Sequence, residues 1–220
     1  MNNSIIQLLV LAGVAIFLIL KLRSVLGTRD GFEGQNRVPP LPGAGSARRG
    51  GEVIESGPDR DITDHVAEGS DEARALAAMK LVEPSFNVSG FLQGARGAYE
   101  MILGAFAKGE LDRIRPFLSA EVAESFAAVI ADRKARGLIV TSELLGIREL
   151  ALQNAEFNRA TNEAEVSVRF VGEVISATRD NSGDVVEGDP KHARKQRDVW
   201  TFARVMGAND PNWQLVATGE

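Results

Sequence analysis

The chain has 220 residues, of which 44% are hydrophobic, and this is enough for one folded domain with accessory segments. Its net charge of -5 argues against nucleic acid as a partner, because phosphate binding needs a basic surface. Cysteine is absent and only His65 and His192 are present, which excludes disulfides, thiolate nucleophiles and Cys-based metal sites. We therefore expect neither a metal nor a cofactor.

The first predicted element is a membrane-spanning helix from Ile5 to Leu20. All but one of its residues are apolar or glycine. A helix of this length covers about 24 Å of the ~30 Å hydrocarbon core, and the basic residues that follow it can snorkel to the interface. A cleaved signal peptide is the alternative, but the basic start and the small-residue cleavage site are missing. We expect an uncleaved anchor over residues 1–26 that contacts the bilayer through residues 5–22.

The charges around this segment predict its orientation. Basic residues follow the span, beginning with Lys21, Arg23 and Arg29, whereas only the α-amino group precedes it. Because positively charged flanks remain on the cytoplasmic side, we expect a single-pass protein of the cell inner membrane. Its N-terminus would lie outside and its C-terminal domain in the cytoplasm.

Residues 27–84 are predicted to be a flexible linker, since they are rich in Gly, Pro and charge. A flexible coil of this length has an r.m.s. reach of about 40–45 Å. Its first half is basic and its second half acidic, which indicates either contact of the basic half with anionic lipid or simple solvation. Helix-forming residues and an acidic first turn predict a short helix over 71–82. We expect it to pack on the domain, and a partner-binding face is the alternative.

A folded domain is predicted over residues 85–220, and it begins with a long amphipathic helix. Apolar residues recur at intervals of three and four over residues 91–106. Asn87 or Ser89 is the expected N-cap, and Gly109 is the expected stop. A short second helix is predicted over residues 111–118, followed by a third.

Ser119 is the expected N-cap of this third helix, which should end at Gly137. After Gly137 the apolar residues recur at about every second position, as in β-strands. Gly172 is expected to form a bulge. Strands are predicted over residues 138–150, 164–175, 197–205 and 213–218, with turns at 158–162, 181–183 and 209–212. Helices followed by an antiparallel sheet make the predicted fold class α+β, with the helices on one face of a curved sheet.

Four motifs in this domain resemble one known family. They are Phe91-Leu92-x-Gly94-Ala95-x-x-Ala98-Tyr99, Ala105-Phe106-Ala107-x-Gly109, Asp198-Val199-Trp200-Thr201-Phe202-x-Arg204 and Asp210-Pro211-Asn212-Trp213-x-Leu215. From about Phe86 to Thr218 the chain is similar to the Tim-forty-four-like domain family. That family is named for the matrix-side anchor subunit of the mitochondrial inner-membrane import motor, and it has bacterial TimA-type members. The predicted N-terminal anchor and linker of this chain also resemble those of the bacterial members.

The resemblance implies a fold and a class of function. The family fold is a cone of the nuclear transport factor two-like or cystatin-like kind, with a hydrophobic pocket between helices and sheet. The family role is non-catalytic: the mitochondrial member holds an Hsp70 chaperone at the translocation channel and contacts cardiolipin-containing membrane. This chain departs from that member in having its own predicted anchor and in not containing the long chaperone-binding region, so chaperone binding does not follow.

Two sets of binding residues are predicted. A ligand pocket is predicted from large apolar side chains, although residues of this kind are more often plain core: Phe91, Tyr99, Ile102, Phe106, Trp200, Phe202 and Trp213. Contact with anionic lipid head groups is predicted from a dense basic run, although a solvated hairpin edge that discourages edge-to-edge pairing is the more common role of such a run: Lys191, Arg194, Lys195 and Arg197. Structural roles are expected for Asp198 and Arg204, as a pair across a hairpin, and for Asp210, as the cap of a turn.

The sequence therefore predicts a membrane-anchored adaptor or scaffold rather than an enzyme. Its client would be a hydrophobic protein segment, with lipid as a further option, in protein transport or envelope biogenesis. The protein partner, a chaperone or a membrane complex, is not identified by the sequence. A small-ligand carrier or a pocket enzyme is the alternative, but strand carboxylates such as Glu143 and Glu163 have no evident His or Lys partner in the sequence.

Overall fold

The computed structural model describes residues 58–219. The predicted membrane segment over residues 5–20, the linker up to residue 57 and Glu220 lie outside these described residues. The described part consists of helices followed by an antiparallel sheet, which confirms the α+β class. None of the helices within it is long and apolar enough to cross a membrane.

Five helices precede four strands. The helices are α1 (Arg60–Thr63), α2 (Asp71–Val82), α3 (Val88–Lys108), α4 (Leu111–Ile114), which continues into a 3-10 turn at Arg115–Phe117, and α5 (Ala120–Ala135). The strands are β1 (Ile139–Asn158), β2 (Glu163–Arg179), β3 (Val185–Val205) and β4 (Gln214–Gly219). The strands pair in this order, and every pairing is antiparallel.

Helix α3 is the longest helix of the described chain, and local sequence sets both of its ends. The Asn87 side chain accepts a hydrogen bond from the Gly90 backbone N–H, which makes Asn87 rather than Ser89 the N-cap. Gly109 ends the helix at φ 75°, a left-handed conformation that a side chain at Cβ would disfavour. Both ends therefore agree with the sequence prediction.

Two helices lie within the residues predicted to be linker. Helix α2 occupies the residues where the sequence predicts a short helix, and Leu76 and Met79 on it are completely buried. Ile62 of α1 is buried as well. The folded part therefore includes α1 and α2, well before residue 85. The sequence signal is weak because these helices are short and lie among many charged residues.

Asp61 connects α1 to the start of α3. Its carboxylate accepts hydrogen bonds from the backbone N–H groups of Val88, at 2.8 Å, and Ser89, at 3.1 Å. It also pairs with Lys80 of α2 at 2.7 Å. Backbone N–H groups in the first turn of a helix have no intrahelical partner, and a negative charge there is favourable. One carboxylate thus joins three helices.

The sheet is longer than the sequence predicts, and β1 is irregular. Its register against β2 shifts three times, and each shift leaves one additional residue on β1. One of these bulges lies opposite Gly172, so the expectation of a bulge at Gly172 itself is wrong. A Cβ at Gly172 would lie 3.1 Å from Leu144 Cδ1, which shows that glycine permits a close approach of the two strands.

Strand β3 begins at Val185, before the predicted start at residue 197. Its first half is exposed almost throughout, so it has no alternation of apolar and polar residues for sequence reasoning to detect. Residues 190–193 bulge out of the pairing with β2, because Val174 pairs with Arg194 whereas Ser176 pairs with Asp189. Strand β4 is short and pairs only with the last part of β3.

The core lies between the helices and the sheet. Tyr99 of α3 stacks on Phe170 of β2 with ring centroids 4.3 Å apart, and Trp200 of β3 lies 4.7 Å from Tyr99. The predicted alternation of apolar residues along β2 is confirmed, because Val166, Val168 and Phe170 are all completely buried. These contacts fix α3 across the middle of the sheet.

Replacing Asp61 by Asn should lower the free energy of unfolding by about 1–2 kcal/mol at pH 7, because a neutral amide holds two backbone N–H groups and Lys80 less well. Burial alone would raise the pKa of Asp61, but the hydrogen bonds from Lys80, Val88 and Ser89 outweigh it and lower the pKa to about 2. This stabilisation is present above the ordinary pKa of 3.8 and disappears as the pH falls towards 2. Urea unfolding followed by tryptophan fluorescence at several pH values measures it.

Asp64→Asn is the matched control, since Asp64 is exposed and its side chain has no hydrogen bond or ion pair within residues 58–219. The difference in unfolding free energy between wild type and Asp61→Asn should disappear between about pH 4 and pH 2. This range corresponds to the ordinary and the folded-state pKa of Asp61. A deficit of unchanged size at pH 2 would contradict the electrostatic explanation.

Candidate functional site

A groove of about 460 Å³ opens beside the N-terminal half of α3. Small residues form its helical wall: Gly90, Gly94, Ala95, Gly97 and Ala98. A Cβ placed at Gly94 or Gly97 would meet nothing within 4 Å, so this face of the helix is open. A partner backbone could therefore approach α3 more closely than an ordinary helix surface allows.

Aromatic rings form the floor of this groove. Phe91 lies 4.7 Å from Trp213 and 6.1 Å from Phe202, measured between ring centroids, and Phe86 lies 6.0 Å from Trp213. Phe86, Phe91 and Phe202 are buried, whereas Trp213 is half-buried. Because the rings hold one another in edge and tilted contacts, the apolar floor is formed before any ligand arrives.

An ion pair closes one side of the groove. Glu83, which follows α2, accepts from Arg204 Nη2 of β3 at 2.6 Å and from the Gly207 backbone N–H at 3.0 Å. The side chains of Arg204 and Glu83 are only 9% and 19% exposed. The hydrogen bond from Gly207 lowers the pKa of Glu83 most; partial burial opposes this, and Arg204 adds to the lowering. The pair is therefore charged at neutral pH.

The predicted pairing of Asp198 with Arg204 is wrong. Both residues lie on β3, and Arg204 instead contacts Glu83 and the Asp210 carbonyl oxygen, the latter at 3.2 Å. Asp198 accepts from the Tyr99 hydroxyl at 2.5 Å and from the Gln196 amide at 2.8 Å. The predicted role of Asp210 is confirmed, because its carboxylate caps its own turn through the Asn212 N–H at 2.9 Å.

The residues predicted to form one pocket lie in three places. Phe91, Phe202 and Trp213 line the groove. Tyr99, Ile102 and Trp200 are buried in the core. Phe106 lies two turns beyond Tyr99 on α3. Its ring centroid is 4.4 Å from that of Phe126 and 4.5 Å from the guanidinium carbon of Arg133. Only the first group can contact a ligand in the groove.

Tyr99 has a structural role in the core. Burial, and then the hydrogen bond to Asp198, raises the pKa of Tyr99 far above its ordinary value. The phenol therefore keeps its proton and donates a hydrogen bond to Asp198, which satisfies the buried hydroxyl within a mainly apolar cluster. Within residues 58–219 no group of three or more His, Asp or Glu side chains could hold a metal ion.

The predicted lipid-contacting residues are exposed, but they do not form one surface. Lys191 lies in the bulge of β3, where its backbone N–H donates to Asp189. Because side chains alternate along a strand, Arg194 lies on the opposite face from Lys195 and Arg197. Arg194 lines a cavity with α3 and α5. Contact of these residues with lipid head groups stays a prediction.

Sequence reasoning missed the residues that make the groove open. Gly94 and Gly97 interrupt the amphipathic pattern of α3 on its otherwise polar face, and this interruption was the available signal. Glu83 carried no signal, because its partner Arg204 is 121 residues away.

Comparison with known proteins adds a family and relatives. A family model described as the Tim44-like domain matches residues 72–220. The mitochondrial import inner membrane translocase subunit TIM44 of Homo sapiens is 26% identical over 147 residues, which are 66% of this chain and 32% of that protein. Subunit TIM44-1 of Arabidopsis thaliana is 20% identical over 146 residues, which are 66% of this chain and 30% of that protein. The chain thus spans about a third of the length of these curated relatives.

One solved structure has a weaker likeness. The intermembrane space region of the chloroplast protein ARC6 is 12% identical, with a TM-score of 0.39, and the match covers 56% of this chain and 88% of that chain. A likeness of this size says nothing about function.

A double-mutant cycle on Glu83→Gln and Arg204→Met should give a coupling energy of about 1–3 kcal/mol at pH 7, since each single change leaves a mostly buried charge without its ionic partner. Because the folded-state pKa of Glu83 is lowered, its stabilisation is present above the ordinary pKa of 4.5 and is lost as the pH falls below it. Urea unfolding of the four proteins measures the coupling. Glu68→Gln, at an exposed position, is the control, and a cycle that gives no coupling would contradict the assignment.

Proposed function

This chain belongs to the Tim44-like domain family, and from that premise we propose that it is a membrane-anchored adaptor. In this proposal the domain binds a hydrophobic client or protein partner at the cytoplasmic face of the inner membrane. The work served is protein transport or envelope biogenesis. The role in this proposal is non-catalytic.

The groove beside α3 is the observation that carries this proposal. Its volume of about 460 Å³ lies in the range of ordinary ligand sites, ~300–1,000 Å³. Its floor is aromatic and its rim is polar, with Asn87, Asn212 and the Glu83–Arg204 pair around it. Such a site buries apolar side chains while the rim offers hydrogen bonds to a peptide backbone.

The glycine wall favours a protein segment over a small ligand. Where Gly94 and Gly97 stand, a helix or an extended peptide can lie directly along α3, because no side chain separates the two backbones. Close approach of this kind is how small residues promote helix–helix contact in membranes. The relatives named as subunits of an import inner membrane translocase support a role in protein transport.

The predicted anchor supplies the location in this proposal. A domain held near a membrane meets membrane-bound clients at a raised effective concentration, so a modest affinity in the groove is sufficient. With α1 and α2 folded, the predicted linker is shortened to residues 27–57. For a flexible coil of that length the reach is about 30 Å rather than 40–45 Å.

Replacing Gly97 by Leu should weaken client binding strongly without harming the fold. The new side chain enters open space, and Leu in place of Gly inside a helix adds about 0.5–1 kcal/mol of stability. The measurement is photo-crosslinking from a reactive amino acid at Met101, which lines the groove, in detergent-solubilised membranes. Adducts seen with wild type should fall at least about tenfold.

Gly104→Leu is the matched control. Gly104 lies two turns further along α3, has equally open space around its Cβ position and lies outside the groove. Its adducts should equal those of wild type. Unchanged adducts in Gly97→Leu would sink the proposal that the groove binds the client.

The orientation is tested by paired reporters fused to the C-terminus of the full chain. A fluorescent protein that matures only in the cytoplasm should be bright, and an alkaline phosphatase that works only outside should be inactive, because the basic flank follows the span. Bright phosphatase activity with a dark fluorescent fusion would overturn the predicted topology.

A further inference from the structure

A second cavity, of about 230 Å³, lies between the C-terminal half of α3, α5 and the distal part of the sheet. It shares no lining residue with the aromatic groove. Its character is also opposite, because two guanidinium groups and three hydroxyl groups line it. No part of the adaptor role uses this cavity.

Arg133 of α5 is the central group. Its guanidinium carbon lies over the Phe106 ring, 4.5 Å from the ring centroid, and this contact helps to hold it in place. Its Nη1 atom is buried and has no hydrogen-bond partner among the described residues. Burial lowers the pKa of Arg133, and the nearby Glu187 carboxylate offsets this only in part. A guanidinium that is partly withdrawn from water is stabilised by an anionic acceptor, and the residues around Arg133 satisfy it only in part.

Further donors surround the same space. The hydroxyl groups of Ser142, Ser176 and Thr178 line the cavity and make no hydrogen bond within residues 58–219. Arg194 enters from β3 and forms no ion pair in the described part of the chain. The cavity therefore has more donors than the protein's own acceptors satisfy.

The charge of the cavity determines which ligand it fits. Arg133 and Arg194 contribute two positive charges and Glu187 one negative charge, so the lining residues carry a net charge of one positive. We propose that this cavity binds a singly charged oxyanion, a phosphate or carboxylate group, with Arg133 as its main ligand and the serine and threonine hydroxyls as further donors. A guanidinium fork and several hydroxyls match the oxygens of such a group.

The test uses the full chain purified in an uncharged detergent. Inorganic phosphate, observed by broadening of its phosphorus resonance, should bind saturably, and sodium chloride at equal ionic strength should not displace it. Arg133→Met should weaken binding at least about tenfold, because it removes the charge-assisted hydrogen bonds but keeps the contact with Phe106. Arg133→Lys should recover only part of it, since the fork is lost.

Two further variants separate binding from folding. Glu187→Gln should tighten phosphate binding about threefold or more, because it removes the only negative charge in the lining. Lys134→Met, next to Arg133 on the exposed side of α5, should bind as wild type does. A structural role for Arg133 alone would give no gain from Glu187→Gln. Thermal unfolding of each variant shows whether the domain is still folded.

The source of the anion is decided by a competition arm. Dihexanoyl phosphatidylglycerol, a water-soluble lipid with one phosphodiester charge, is compared with inorganic phosphate and acetate as competitors. Displacement at lower concentration by the lipid would identify a lipid head group as the ligand, and equal displacement by the small anions would identify a soluble one. Absence of saturable binding in both wild type and Glu187→Gln, or binding unchanged in Arg133→Met, would overturn the proposal.

Discussion

The contact of Tyr99 with Phe170 and Asp198 is the constraint on which the rest of the domain depends. Tyr99 lies at the middle of α3, where its ring is stacked between helix and sheet and its hydroxyl is bonded to Asp198 of β3. A shift of α3 along the sheet would both break the stack and leave the buried Tyr99 hydroxyl without its acceptor. The contacts of Tyr99 therefore set the position of α3 along the strands. The residues on both halves of the helix are placed accordingly.

The two cavities are consequences of that fixed position. Towards its N-terminus α3 carries glycines over an aromatic floor, and towards its C-terminus it carries Phe106 beneath Arg133. One helix thus separates an apolar groove, suited to a hydrophobic segment, from a cationic cavity, suited to an oxyanion. Gln196 lines the cationic cavity and donates a hydrogen bond to Asp198, which in turn accepts from Tyr99. Hydrogen bonds therefore connect the cavity wall to the middle of α3.

Much of this fold follows from local sequence. The parts that do not follow from it escape prediction for physical reasons. The ends of α3 and the alternation along β2 were predictable because caps and burial leave a periodic trace. The first half of β3 leaves none, since it is exposed and is a strand only through its pairing with β2. Aromatic residues such as Trp200 and Trp213 look alike in sequence, yet one is core and the other is groove, and only tertiary packing decides between them.

The position of Asp61 gives the domain a mechanical property. Its carboxylate joins α1, the first described helix, to Lys80 of α2 and to the first turn of α3. Tension arriving from the N-terminal side of the chain would reach this junction before it reached the groove, and it would load two hydrogen bonds and an ion pair together rather than one at a time. In the anchored arrangement proposed above, the first bonds to be loaded would thus lie at this N-terminal junction and not among the aromatic rings of the groove.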